Sequence, residues 1–320
     1  MRLRQSAETA PGRGFIDPRV LARIDDLELI AKHVVDGFIN GLHRSPYLGL
    51  SMDFAEHRQY MPGDDIRRVD WRVFARTDRY YVKEFEAETN ANFAVLLDVS
   101  KSMGWGSGEV TKLEYAKYLA ASLTYFSHSQ RDRVGLVTFD SDIVEYVPPA
   151  AKHMDLVLHA LDRSQPSKQG ALAPPLKKAA EVLGRRGVLV LISDFYEDPE
   201  SVIDAVTSLR YRGHDVIVFH VLDRAEIDFP FDEAASFEDV ETGERIPVVP
   251  ETQRAQYREL VAEHVARLAK GFADHRIDYA LFDTSTPLDY ALFSYLSDRE
   301  RLTRGGVRGV VSHGLKEAVS

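Results

Sequence analysis

Cysteine and long apolar runs are both missing from this chain of 320 residues. Without cysteine there are no disulfides, no zinc–thiolate or iron–sulfur sites and no cysteine nucleophile. The longest unbroken apolar runs, Phe93–Leu97 and Val188–Ile192, are much shorter than the about 20 apolar residues of a spanning helix. The first 15 residues are polar and lack the apolar region of a signal peptide. We therefore expect a soluble cytoplasmic protein that is not inserted in a membrane.

Positive charge is scarce as well. The chain has 40 Lys and Arg against 50 Asp and Glu, for a net charge of -10. Proteins that bind the phosphate backbone of nucleic acids usually carry the opposite sign. Segment 67–85 interleaves arginines with aromatic residues, but acidic residues lie among them, which favours internal ion pairs. We expect no nucleic-acid partner.

The common enzyme signatures are also missing from the sequence. It contains no G-x-x-x-x-G-K-[ST] phosphate loop, no H-E-x-x-H zinc motif and no G-x-S-x-G nucleophile elbow. A phosphatase that used Asp98 as its nucleophile would need a second aspartate two residues later, where this chain has Ser100. We expect a protein that is not an enzyme, with metal-dependent phosphoester hydrolysis as the alternative.

From residue 92 onward, short apolar strands alternate with amphipathic helices. Phe93–Asp98 and Val188–Ile192 have the continuous apolar character of strands that are buried on both faces, whereas Leu113–Phe126 has the spacing of a helix. Such alternation is typical of a mostly parallel sheet covered by helices on both sides. The sequence therefore predicts an α/β fold with a doubly wound, Rossmann-like sheet.

Composition divides the chain into four regions. An apolar pattern of helical spacing over about 25 residues begins after Asp17-Pro18, which is a typical helix start. An acidic insert with a hairpin and a long helix interrupts the sheet pattern, and residues 226–263 contain 11 acids and 3 bases. The predicted regions are a flexible tail (1–14), an N-terminal helix and small β region (15–91), the sheet domain (92–300, insert 224–275) and a C-terminal tail (301–320).

Oxygen-bearing side chains follow the first predicted strand of this sheet. Asp98, Ser100 and Ser102 are spaced by two residues in a D-x-S-x-S pattern, and Asp194 follows the apolar strand 188–192. Active positions in parallel sheets lie at the carboxyl ends of strands, so these groups are expected to meet at one edge. Carboxylate and hydroxyl oxygens suit a hard cation such as Mg²⁺, although Asp and Ser are also common turn and cap residues.

Several short motifs in order resemble known families. The D-x-S-x-S stretch and the units after it look like a von Willebrand factor type A domain with its metal-ion-dependent adhesion site. Upstream, the sequences FAEHRQYMPGDD (54–65) and RRVDW (67–71) resemble the signature of the domain-of-unknown-function 58 family. The resemblance covers roughly residues 20–300.

The resemblance implies a bacterial protein-interaction module that works with an AAA+ ATPase of the MoxR type in complex assembly or maturation. It also implies that Asp98, Ser100, Ser102 and Asp194 hold Mg²⁺, with Mn²⁺ and Ca²⁺ as other candidates, and that a carboxylate of the partner completes the site. The chain departs from the pattern at Ala171, where a type A domain usually has a threonine. Ser167 or water would have to substitute, and a vestigial, empty site is the further alternative.

Overall fold

A computed structural model describes the sheet domain almost completely. The residues it describes are 17–24, 26–44, 57–59, 81–83, 91–184, 186–240, 243–290, 292 and 311–312. Most of segment 45–91, with most of the arginine- and aromatic-rich stretch, lies outside the described residues, as does the predicted tail 1–14. Of the predicted tail 301–320 only residues 311–312 are described, and they form a strand of the sheet. The predicted domain boundaries therefore stay predictions.

The centre of the molecule is a seven-stranded sheet with the order β11-β10-β7-β6-β3-β4-β5. Neighbouring strands are parallel except β5, which runs antiparallel to β4 at one edge. The strands are β3 (Asn92–Asp98), β4 (Arg133–Phe139), β5 (Ile143–Ala150), β6 (Gly187–Ser193), β7 (Asp215–Leu222), β10 (Asp278–Asp283) and β11 (Val311–Ser312). Two short antiparallel pairs lie outside the sheet: β1 (His57–Gln59) with β2 (Tyr81–Lys83), and β8 (Ala235–Glu238) with β9 (Arg245–Val248).

Helices cover both faces of the sheet, which confirms the predicted doubly wound α/β fold. They are α1 (Pro18–Leu21), α2 (Leu27–Arg44), α3 (Lys112–Ser129), α4 (Met154–Arg163), α5 (Ala173–Val182), α6 (Pro199–Tyr211), α7 (Arg224–Asp228) and α8 (Pro250–Asp274). The side chains of β3 alternate between two cores: Val95 and Leu97 pack in one with α2, α3 and α4, and Ala94 and Leu96 in the other with α5, α6 and α8. This alternation follows from the two-residue period of a strand.

The edge strand β5 has a different character from the central strands. Its residues are mostly half-buried or exposed, and it contains Pro148 and Pro149. Proline has no backbone N–H to donate to a neighbouring strand, so it is tolerated at an edge and would disrupt a centre. The antiparallel edge therefore ends the sheet without leaving a long row of free donors.

The N-terminal helix differs from its prediction. The sequence pattern predicted one helix over about 25 residues, but the structure has α1, a break, and then α2. Asp17 Oδ1 accepts a hydrogen bond from Arg19 N, and Asp26 Oδ1 accepts from Glu28 N, so each helix has its own aspartate cap. The second cap was overlooked because the apolar spacing continues across the break. Buried Leu21 and Ile30 nevertheless share one core, which explains the continuity of that pattern.

The acidic insert forms the predicted hairpin, β8 and β9, followed by the long helix α8. Arg254 on α8 holds the chain that leads into the hairpin: its guanidinium donates to the carbonyl oxygens of Phe229 (3.1 Å) and Phe231 (2.6 Å). The rings of Phe229, Phe231 and Phe237 pack with Tyr257 of α8, with centroid distances of 4.6 to 5.6 Å. The insert is thus a folded attachment beside the carboxyl edge of the sheet.

No helix in the described part of the chain combines the length and the apolar character that crossing a bilayer requires.

Candidate metal-ion site at the carboxyl edge of the sheet

Strands β3 and β6 bring the predicted site residues to the same edge of the sheet. The two strands are parallel neighbours, with Leu97 opposite Ile192. Asp98 therefore ends β3 beside the point where Ser193 and Asp194 follow Ile192. Both aspartates are buried, at 5 % and 3 % exposure. Burial of two carboxylates at adjacent strand ends is unusual without neutralising partners.

Asp98 is held by neutral hydrogen-bond donors. Its Oδ1 accepts from Ser100 N at 2.8 Å, and its Oδ2 accepts from Ser193 Oγ at 2.6 Å. Burial raises the pKa of Asp98 to about 7, and the negative charge of Asp194 adds to the rise. Removal from water penalises the charged carboxylate more than these neutral donors stabilise it. A cation beside Asp98 would relieve this penalty.

The two serines of the motif lie on the turn after β3. Ser100 precedes a short 3₁₀ turn, Lys101–Gly104, whose Met103 is buried and fixes the turn to the core. The hydroxyl oxygens of Ser100 and Ser102 are 3.2 Å apart. A methyl group on Gly170 would come within 2.9 Å of the Ser100 Cβ, so the facing loop approaches closely because position 170 is glycine. The turn and the loop together fix where these hydroxyls lie.

Asp194 is held by a buried lysine that sequence reasoning overlooked. Lys112 is fully buried; its Nζ lies 2.8 Å from Asp194 Oδ2 and 2.6 Å from Glu226 Oε1. Burial alone would lower the pKa of Lys112, but the charges of Asp194 and Glu226 outweigh it and raise that pKa. Lys112 therefore stays protonated and offsets part of the negative charge of these two acids.

Local sequence explains how Lys112 reaches this position. Thr111 and Glu114 form a capping box at the start of α3: Thr111 Oγ1 accepts from Glu114 N, and the Glu114 carboxylate accepts from Thr111 N. This cap fixes the first turn of the helix, which carries Lys112, against the carboxyl edge. A second box, Asp223 with Glu226, caps α7 and places Glu226 on the opposite side. The T-x-x-E and D-x-x-E spacings in the sequence indicate these two helix caps. Neither spacing indicates that Lys112 pairs with Asp194 and Glu226.

All four predicted residues line one cavity of about 850 Å³. Asp98, Ser100, Ser102 and Asp194 share it with the ion-paired Lys112 and Glu226. The insert supplies the far wall through Phe229, Phe231, Phe237 and Tyr257. The sheet edge thus provides the polar side of the cavity and the insert its aromatic side.

The loop that differs from the type A pattern is tied to the next strand end. Ser167 Oγ donates to Asp140 Oδ2 at 2.7 Å, and Ala171 N donates to the Asp140 carbonyl at 3.3 Å. From this loop the cavity is lined by Gln169, Gly170 and Leu172. The Ser167 hydroxyl is therefore engaged with Asp140.

The donor set fits a hard divalent cation. Asp98 offers a carboxylate, and two serine hydroxyl oxygens line the same cavity. Burial and the charge of Asp194 favour its protonated form, and a bound cation would counter both effects. Mg²⁺ typically takes one or two carboxylates and completes its shell with water. Among the described residues there is no group of three or more His, Cys, Asp or Glu arranged for a metal, so an ion here would depend on hydroxyls and water.

Comparison with known proteins identifies relatives without an assigned activity. The chain is 29% identical over 237 residues to the uncharacterized protein Rv1480 of Mycobacterium tuberculosis, covering 72% of this chain and 74% of the relative. Similar solved structures include the conserved hypothetical protein BatB of Bacteroides thetaiotaomicron (20% identity, TM-score 0.44, 66% of this chain and 99% of that one). They also include the SpRpn10 VWA domain (13% identity, TM-score 0.38, 62% of this chain and 92% of that one).

A family model described as "Protein of unknown function DUF58" matches residues 56–267. The match covers the end of the N-terminal region, the D-x-S-x-S motif after β3, Asp194 and most of the insert. It agrees with the resemblance to the domain-of-unknown-function 58 family that the short motifs indicated. The chain belongs to the DUF58 family.

Proposed function

We propose that the chain is a non-enzymatic protein-interaction module that binds its partner through a divalent cation. Asp98, Ser100 and Ser102 would hold Mg²⁺, with Asp194 behind them acting through water. The observation that carries the proposal is the convergence of a buried carboxylate and two hydroxyls, 3.2 Å apart, on a cavity of about 850 Å³. When bound, such an ion supplies an electrophilic position that accepts a carboxylate oxygen.

The charges of the chain's own residues support a carboxylate as the guest. Serine hydroxyls are neutral, and Lys112 already neutralises Asp194 at 2.8 Å. Asp98 is then the main negative charge in contact with the cation, so a divalent ion keeps net positive charge. In a partly desolvated cavity this charge attracts an Asp or Glu side chain more strongly than it would in water.

The resemblance suggests a MoxR-type AAA+ ATPase as the partner, in complex assembly or maturation. A metal-bridged carboxylate makes a reversible contact, which suits a partner that changes conformation with its nucleotide state. The insert, which walls the cavity, gives such a partner a second surface to contact.

Magnesium binding tests the site directly. A ligand that binds only the folded state raises the melting temperature as its concentration rises. We expect Mg²⁺ to stabilise the wild-type chain and to have no effect on Asp98→Ala, while Asp142→Asn, a change at an exposed aspartate in the turn after β4, responds like the wild type. A wild-type chain that does not respond to Mg²⁺, Mn²⁺ or Ca²⁺ would favour a vestigial site.

Partner capture tests the function. The chain immobilised in Mg²⁺ is expected to retain the cognate ATPase, and retention is expected to be lost in EDTA and with Asp98→Ala. Equal retention in all three conditions would contradict the metal-bridged mechanism. A metal-dependent turnover of a generic phosphoester that disappears with Asp194→Ala would instead support a hydrolase.

A further inference from the structure

The cavity is larger than a cation site needs. A cation with six water-sized ligands fills about 200 Å³, at about 30 Å³ per water. The cavity holds about 850 Å³, which is in the range of sites that enclose several side chains or a drug-sized ligand. Most of its volume therefore lies beyond Asp98, against the insert.

The wall beyond the cation site is aromatic. Phe229 stacks on Phe237 with ring centroids 5.6 Å apart, and Phe231 meets Phe237 edge-on at 5.0 Å. Tyr257 lies 4.6 Å from Phe229. Phe231, Phe237 and Tyr257 are half-buried, so part of each ring remains accessible to a guest. Aromatic faces attract cations as well as apolar groups.

The charge of the cavity lining favours a positively charged guest. Among the described residues that line it there are six carboxylates and one lysine. The lysine, Lys112, is committed to two of the acids, Asp194 and Glu226. Glu238 is paired from outside with the exposed Arg245 at 2.7 Å. Because acids outnumber bases among these residues, the lining as a whole carries an excess of negative charge.

The cavity already holds one cation in this manner. The Nζ of Lys112 lies 4.7 Å from the centre of the Tyr196 ring while its charge is met by carboxylates. Aromatic faces combined with carboxylates are thus the arrangement that this site uses for its own ammonium group. Phe237 and Glu197 line the same cavity, so aromatic faces and carboxylates are also available to a guest.

We propose that this aromatic and acidic part of the cavity binds an arginine side chain from a segment of a partner protein, independently of any metal. A guanidinium is planar, so it can stack on a phenyl ring while its edge donates to carboxylates. The rim includes exposed Tyr196 and Glu238, which leaves room for a chain to pass across the opening. The arginine site therefore adds a second element of partner recognition beside the proposed cation site.

Trp105 provides a reporter inside the cavity. The chain has two tryptophans, so Trp71→Phe leaves Trp105 as the sole source of tryptophan emission. The probe is the peptide acetyl-(Gly-Arg)₃-amide, titrated in EDTA at physiological salt, with the neutral citrulline peptide as its matched control. We expect saturable change in Trp105 emission with the arginine peptide and at least tenfold weaker binding of the citrulline peptide. Calorimetry on the wild-type chain checks that Trp71→Phe has not altered binding.

Two cavity variants and one outside control locate the binding. Phe237→Leu keeps an apolar side chain but removes the ring, and Glu197→Gln removes a charge while keeping an acceptor for Leu172 N, which donates to Glu197 at 2.6 Å. Each variant is expected to bind the arginine peptide at least threefold more weakly than the wild type does. Glu259→Gln removes a charge from an exposed position of α8 outside the cavity and is expected to leave the affinity unchanged.

Three outcomes would overturn the proposal. The citrulline peptide binding as tightly as the arginine peptide would exclude charge recognition. Equal effects of Glu197→Gln and Glu259→Gln would indicate general attraction to an acidic surface. Arginine amide binding as tightly as the peptide would indicate a small cationic ligand instead of a protein segment. Because the titration is made in EDTA, failure here leaves the magnesium test of the proposed function unaffected, and the reverse also holds.

Discussion

The two aspartates at the strand ends in the cavity have different partners: Asp98 has neutral hydrogen-bond donors, whereas Asp194 has a charged lysine. Asp98, after β3, receives hydrogen bonds from neutral donors, and burial raises its pKa to about 7. Asp194, after β6, is bound by the charged Nζ of Lys112 at 2.8 Å. The backbone places both residues in the same way, so the difference comes from their neighbours. One half of the site receives a charged partner from the chain itself, and in the proposed function the other half is completed by a cation from solution.

Removing the internal cation is expected to have the largest effect on the fold. Lys112→Met would leave Asp194 and Glu226 buried without their partner, and breaking a buried pair in this way costs about 3–5 kcal/mol of unfolding free energy. Urea denaturation in EDTA measures the loss. Lys178→Met serves as the control, because Lys178 pairs with Asp142 on the surface and such pairs contribute about 1 kcal/mol or less.

The double variant Lys112→Met/Glu226→Gln separates charge from packing. It removes one buried acid together with the lysine, so it is expected to recover part of the stability that Lys112→Met loses. If the double variant is as unstable as the single one, the loss comes from packing of the lysine stem and the electrostatic comparison is wrong.

Asp98→Asn is expected to change how stability depends on pH in the metal-free chain. With its pKa raised to about 7 from an ordinary 3.8, folded Asp98 holds its proton more tightly than unfolded Asp98 does. Its stabilising contribution is therefore complete below about pH 4 and is lost as the pH rises through about 7. Between about pH 5 and about pH 8 the wild type should lose on the order of 2 kcal/mol more than Asp98→Asn. If the unfolding free energies of the wild type and Asp98→Asn change in parallel with pH in EDTA, Asp98 is ionised throughout this pH range.

The comparison also predicts a change in metal affinity. Lys112→Met/Glu226→Gln leaves the net charge unchanged, but Asp194, the acid whose charge acts on Asp98, has lost its lysine, so the negative potential that Asp194 exerts at Asp98 is no longer offset. If the proposed cation site is correct, Mg²⁺ should bind roughly tenfold more tightly, equivalent to about 1.4 kcal/mol. Calorimetric titration of Mg²⁺ measures this. Unchanged or weaker affinity would mean that the charge of Lys112 does not limit Mg²⁺ binding. The titration of the wild-type chain shows whether Mg²⁺ binds at all, which distinguishes this result from a vestigial site.

The smallest expected effect is that of Gly170→Ala. The new methyl group would lie 2.9 Å from the Ser100 Cβ, so either the loop or the turn must shift by a few tenths of an ångström. We expect a loss of about 1 kcal/mol or less in stability and a measurable weakening of Mg²⁺ binding. Gly108→Ala is the control, because a methyl group there has nothing within 4 Å. Equal Mg²⁺ affinity in both variants would show that Ser100 is not held in place by its facing loop.

Sequence patterns were sufficient for most of the sheet domain because its signals are local. Apolar runs marked the central strands, helical spacing marked α3 and α8, and turn residues marked the hairpin. The D-x-S-x-S motif and Asp194 were found because each directly follows a buried strand. The break between α1 and α2 was not predicted, since a hydrophobic pattern that faces one core does not reveal that one helix ends and that a second one begins after Asp26.

Lys112 could not be predicted from sequence, for a physical reason. Its partners Asp194 and Glu226 are 82 and 114 residues away along the chain, and only the packing of α3 and α7 brings them together. A lysine in the first turn of a helix normally suggests exposure to solvent. The cavity was not predicted either, because its two walls come from segments whose local patterns show no relation to each other.

The hairpin of β8 and β9 contributes to the aromatic side of the cavity, so replacing the hairpin would change the lining of that side. The hairpin follows α7 and leads into α8. Arg254 anchors its start through the backbone carbonyls of Phe229 and Phe231 and through the carboxylate of Asp232. Two of these three contacts are to the backbone, so many positions of the hairpin can differ while the sheet keeps its register and the D-x-S-x-S motif its geometry. A collection of chains that differ only in this hairpin would be a practical starting point for engineering binders with new preferences on one unchanged scaffold.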